Sequence, residues 1–213
     1  MTEWFRRESW TVEDEREFFA RLGRSRGDRN KAQYLRIQAS HLEATGKRSN
    51  IVAALALLDR LVREFPDPSQ LAAALWQRGR CQQALGDRDT AIESYRAALD
   101  AERRMPGVRT GASLDLAWLI ATERIRRLYN EALLLVDARR ASLSLPVDEF
   151  RESAIRALIA SNQGDRSSAR QFAAIALEAA GRTTSGLRYH KTVGLVGDKY
   201  NDVVEQIRRW AVD

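Results

Sequence analysis

Cysteine occurs once in the chain, at Cys81, and histidine twice, at His41 and His190. One thiol excludes an internal disulfide and favours a reducing compartment, and these three side chains cannot assemble a Cys/His zinc site. No EF-hand or paired His-Glu spacing is present, so neither a metal nor a cofactor is expected. No window approaches eighteen uninterrupted apolar residues, and residues 1–10 hold Arg6 and Arg7 but no apolar signal-type stretch, which points to a cytoplasmic protein with no membrane partner.

The sequence also lacks the punctuation of a sheet protein. It has four prolines and twelve glycines in 213 residues, and no segment alternates apolar and polar residues over the length of a strand. It contains no phosphate-binding glycine loop; the nearest string, residues 194–199, has the wrong spacing. Ser185, His190 and Asp198 stand near one another in sequence without the elbow that exposes a nucleophilic serine, so an enzyme with a site over residues 185–198 ranks last among the functional readings.

What is present favours helices. Ala, Leu, Arg, Glu and Gln are abundant, apolar residues make up 44% and charged residues 30%, so the class is all-α with a heavily charged surface. Thirty-five Lys and Arg against 29 Asp and Glu leave a net charge of +6, which raises nucleic acid as a partner. Over residues 1–50, however, eleven basic and eight acidic residues are interleaved rather than blocked, as on a solvated helical surface, and a protein partner is preferred.

Self-similarity carries the architecture. Residues 86–91 (Gly-Asp-Arg-Asp-Thr-Ala) are echoed by residues 164–169 (Gly-Asp-Arg-Ser-Ser-Ala), each between two helical runs. A glycine followed by an aspartate suits a tight helix-turn-helix, the glycine ending one helix and the carboxylate capping the next. Ala54, Ala91, Ala132 and Ala169 are spaced by 37, 41 and 37 residues, and Pro66, Pro106 and Pro146 recur every 40, where they would close successive units, with Pro68 extending the first such stop.

Residues 72–105 resemble the tetratricopeptide repeat: Gly79 takes the place of the small first-helix residue, Gly86 that of the turn glycine, and Ala91, Tyr95 and Ala98 match the alanine, aromatic and alanine of the second helix. Leu75 occupies the consensus tryptophan slot, with Trp76 one position later. Ala39, Gly46, Ala54, Leu58 and Pro66 fit the same frame with about three extra residues at 47–50, and Ala157, Gly164, Ala169, Ala173 and Ala176 fit it without insertion. A degenerate unit pairs helices over 114–127 and 130–142 around Ala132, with no turn glycine. The resemblance implies one domain over 1–213, a right-handed α-solenoid of about four hairpins (30–66, 72–105, 110–146 and 148–182) between a capping segment at 1–29 and a loop and capping helix at 183–213. The amino-terminal helix is expected over 12–22 behind a Thr11 cap with Asp14, and the carboxy-terminal one over 201–211 with Val203, Val204, Ile207 and Trp210 on one face.

Such stacks bind extended segments along a concave wall of first helices, so the resemblance implies a non-enzymatic adaptor or scaffold. In this frame the wall carries Arg36, Ser40, Trp76, Arg80, Gln83, Arg124 and Arg151. Four arginines and a tryptophan suit an acidic peptide, through carboxylate forks and aromatic contact. A secondary candidate is the loop with Arg188, Tyr189 and His190, whose alternative is a docked linker with Tyr189 and Leu195 packed under the last helix. Trp4, Phe5, Trp10, Phe18 and Phe19 either anchor a partner or seal the first repeat, sealing being preferred. His41 is expected to be a partly exposed helical histidine, and Cys81 a buried apolar residue rather than a reactive thiol.

Overall fold

A computed structural model describes residues 3–139 and 145–212, with Val212 known by its backbone only. The described residues form ten α-helices and no strand, divided between two compact units, Met1–Ala112 and Ser113–Asp213.

The first unit holds α1 (Val12–Arg24), α2 (Asp28–Ala44), α3 (Arg48–Glu64), α4 (Pro68–Leu85) and α5 (Arg88–Arg104). A capping box starts α1: Thr11 Oγ1 accepts from the Asp14 N–H at 3.1 Å, and the Asp14 carboxylate accepts from the Thr11 N–H at 2.9 Å. Helices α2 with α3 and α4 with α5 form hairpins, α3 packs on α4, and α2 also meets α4. Leu35, Leu42, Leu58 and Leu61 are fully buried in its core, each contributing about 1.5–3 kcal/mol.

The α4–α5 crossing shows why the repeat pattern needs its residues. Gly79 lies flat against Tyr95, and a Cβ there would come within 2.7 Å of two ring carbons. The buried Tyr95 hydroxyl donates to Gln83 Oε1 at 2.8 Å, which ties α5 back to α4. Gly86 ends α4 at φ 89°, and the Asp87 N–H closes back onto the Gln82 carbonyl at 2.9 Å. The second Gly-Asp turn repeats this geometry, with Gly164 at φ 84° and the Asp165 N–H on the Ala160 carbonyl at 3.0 Å.

The three extra residues of the first hairpin do not lengthen its turn. They are helical and start α3 earlier, bringing the buried Asn50 to donate to the Glu8 carbonyl and to Thr45 Oγ1, both at 3.0 Å. Gln38 completes this hold on the chain before α1, accepting from the Arg7 N–H at 3.0 Å and donating to the Arg7 carbonyl at 2.8 Å. Trp4, Phe5, Trp10 and Phe19 pack against the same core, so the aromatic opening seals the unit.

The second unit holds α6 (Ala112–Thr122), α7 (Tyr129–Asp137), α8 (Pro146–Gln163), α9 (Arg166–Ala180) and α10 (Asn201–Val212). In the α8–α9 hairpin, the register of Gly79 and Tyr95 is taken by Ala157 and Ala173, both fully buried, so two alanines replace a glycine and an aromatic ring. Val203, Val204, Ile207 and Trp210 of α10 pack on this core.

Three sequence expectations need correction. The helices of the degenerate unit are shorter than expected: α6 ends at Thr122, and α7 ends at Asp137, the expected end at Ser142 lying outside the described residues. Arg124 is not on a helix wall. It takes the left-handed turn position at φ 53°, and the Ile125 N–H closes onto the Ile120 carbonyl at 3.0 Å just as the glycine turns do. Finally, Pro68 and Pro146 open α4 and α8 rather than stop the helices before them, because a first-turn residue has no N–H bond to lose.

Candidate protein-binding face

Helices α2 and α4 are the first helices of successive hairpins, and they lie side by side in the first unit. They bring together Arg36 and Ser40 from α2 with Trp76, Arg80 and Gln83 from α4. Two polar bridges cross between the helices. Arg36 Nε donates to Gln70 Oε1 at 2.8 Å, and Arg80 pairs with Glu43 at 2.9 Å. Seven residues separate Arg36 from Glu43 on α2, which sets the two bridges about 10 Å apart along that helix.

The two arginines differ electrostatically. The charge of Arg80 is answered by Glu43, and its guanidinium lies 5.2 Å from the centroid of Trp76. Arg36 is half-buried, and burial pushes its pKa below the usual arginine value. Its only protein partner among the described residues is the neutral Gln70 amide, so Nη1 and Nη2 face no carboxylate. Trp76, half-buried, is fixed on its other edge by Gly111, where a Cβ would come within 2.9 Å of Cζ2. Ser40 is exposed one turn from Arg36, whereas the Gln83 oxygen is engaged by Tyr95 of α5.

Arg124 and Arg151 belong to the second unit. Arg151 braces α8 to α6, pairing with Asp115 at 2.6 Å, donating to the Leu114 carbonyl at 3.3 Å and lying 5.3 Å from the Trp118 centroid, while its buried Nε has no partner. Arg124 is exposed at the turn already described. Sequence reading missed Glu43 and Gln70, which decide which arginine is neutralised. The signal for Glu43 was its seven-residue spacing from Arg36, two helical turns along one face.

The loop after α9 is closed by its own backbone. The Ser185 N–H donates to the Lys191 carbonyl and the Ser185 hydroxyl to the His190 carbonyl, both at 2.7 Å, which holds Arg188, Tyr189 and His190 at an exposed tip. The Ser185 hydroxyl thus serves the turn and not the imidazole. Tyr189 is 79% exposed and does not pack under the last helix. Tyr200 does so instead, buried with its ring 5.3 Å from those of both Trp118 and Phe150.

Cys81 is fully buried, and burial foremost, with the charge of Glu43 next, pushes its thiol up to about 12. His41, half-buried on α2, lines a 320 Å³ hollow with Glu8, Ala44, Thr45 and Lys47. No helix among the described residues is long and apolar enough to cross a membrane.

Residues 73–101, which run from within α4 to within α5, match the family model of the tetratricopeptide repeat. No curated protein and no solved structure matches the chain.

Proposed function

The chain is a tetratricopeptide-like helical-repeat protein, and from that premise we propose that it is a non-enzymatic adaptor that holds an extended acidic segment of a partner protein on the α2–α4 face. The observation that carries this reading is Arg36. A half-buried cation has given up hydration and is stabilised only when an anion or several hydrogen bonds replace the lost water. Here one neutral amide does so, and the two terminal nitrogens remain as a fork for a carboxylate. Trp76, six residues after Gln70 and so about 9 Å further along α4, is fixed on both sides and offers a rigid apolar anchor of the kind that dominates interfaces. Arg80 contributes less net charge because Glu43 already faces it.

The test compares affinity capture from native cell extract by the wild-type chain, Arg36→Ala and Trp76→Ala, each first shown to be folded by circular dichroism. Loss of the same captured proteins in both variants supports the reading. Undiminished capture by both removes the face from the function.

A further inference from the structure

We propose that the corner between α1 and α2 is a second docking site, outside the matched repeat, for a short glutamate-rich segment of a protein partner. A shallow, open cleft of 490 Å³ lies there, lined by Trp4, Arg21, Arg24, Ser25 and Tyr34. Its aromatic wall is built in advance. The Trp4 ring lies 5.2 Å from Phe18 and 4.9 Å from Tyr34, and the segment bearing it is held to α2 by the two-way bonding of Gln38 with Arg7.

The charge at this corner exceeds what the fold uses. Residues 21–31 carry Arg21, Arg24, Arg26, Arg29 and Lys31 against Asp28. Arg21 is answered by Glu17 at 2.6 Å, and Lys31 lies 4.0 Å from Asp28. Arg24 donates only its Nε, to the Ala20 carbonyl at 3.2 Å, and among the described residues no carboxylate pairs with Arg24, Arg26 or Arg29. A helix carboxy terminus attracts cations with about half an elementary charge, which accounts for one of these three at most. The forked nitrogens of Arg24 and the Tyr34 hydroxyl, which has no protein partner among the described residues, supply donors for a carboxylate, while Trp4 covers its aliphatic stem.

A short acidic segment fits better than a nucleic-acid strand. The thirteen-residue α1 is about 20 Å long, and its other end carries Glu13, Asp14 and Glu15. A long polyanion leaving the cleft along α1 runs into that negative end, whereas a few glutamates stay within the basic corner.

The five tryptophan indole N–H signals of the ¹⁵N-labelled full chain read the sites separately. Titration with capped hexaglutamate should move the Trp4 indole, and Arg24→Glu should weaken that response at least about tenfold, with Tyr34→Phe weakening it less. Trp76 reports the α2–α4 face independently, so either site can fail without the other. A stationary Trp4 signal, an equal response in Arg24→Glu, or saturation by hexathymidylate at lower concentration than by hexaglutamate overturns the proposal.

Discussion

Replacing Gly79 with alanine tests the packing on which the central repeat rests. In an ordinary helix interior the change stabilises by about 0.5–1 kcal/mol, because glycine loses more freedom on folding. At Gly79 the new Cβ would lie 2.7 Å from two carbons of the Tyr95 ring, closer than side chains ever pack. Tyr95 has no room to retreat: it is fully buried, and moving it strains a 2.8 Å bond to Gln83 worth about 1 kcal/mol. Overpacking of this kind costs about 1–3 kcal/mol, so the net effect is a loss of about 1 kcal/mol. Urea unfolding followed at 222 nm measures it. The same substitution in a Tyr95→Ala background meets no ring and should stabilise by the full helix-propensity gain, reversing the sign. The α8–α9 hairpin already holds that combination in Ala157 and Ala173, both fully buried. Stabilisation by Gly79→Ala in both backgrounds would refute the reasoning.

Three further outcomes are expected. Arg124→Gly should raise stability by about 0.5–1 kcal/mol in the same unfolding assay, since a left-handed L-residue costs about 1–2 kcal/mol and glycine gives back part of that gain as lost chain entropy. The Thr11 N–H first, then the Thr11 hydroxyl, Arg7 and Ser9, hold the Asp14 carboxyl down at about 2 against an ordinary 3.8. A depressed carboxyl stabilises the fold above its unfolded value, so the stability advantage of wild type over Asp14→Asn should be constant above about pH 5 and shrink as pH falls from about 4 towards 2, read from chemical denaturation at each pH. Cys81, with its thiol pushed up to about 12, should resist Ellman's reagent at pH 8 in the native chain and react at once in denaturant; rapid native reaction would contradict its burial.

The local chemistry of the repeat was legible because each feature lies within a few residues of its partner. Gly86 with Asp87, Gly164 with Asp165, and Thr11 with Asp14 close turns or cap helices over one to five positions, and such short-range bonds leave a direct mark on the sequence. The Gly79–Tyr95 contact was legible through a family pattern, although sixteen residues separate the pair. Arg124 was misplaced because the chain there meets the demand for a left-handed residue without a glycine, and nothing in an arginine announces that conformation. Pro68 and Pro146 were misread because proline suits the residue after a helix and the first turn of the next one equally; an Asp67 cap marks the first as an opening, but Leu145 before Pro146 gives no such mark. Tyr189 and Tyr200 look alike in sequence, each beside a basic residue; tertiary packing alone buries the second and exposes the first.

The candidate face was harder to read, because an arginine count does not say where each opposing charge sits. Arg80 and Arg151 look like binding residues in sequence, yet each bridges neighbouring first helices to a carboxylate and lies beside a tryptophan, Arg80 with Glu43 and Trp76, Arg151 with Asp115 and Trp118. That recurrence within two units marks the bridge as a device for joining first helices, in which charge is consumed by the fold. Arg36 occupies a comparable crossing place with an amide opposite it instead of an acid. A chain that needed only another brace would gain more from a carboxylate at position 70, which adds an opposite charge and a second acceptor oxygen for the guanidinium fork. With Gln70 there, the crossing is weaker and the cation stays available, and on that difference the binding role proposed for the α2–α4 face depends.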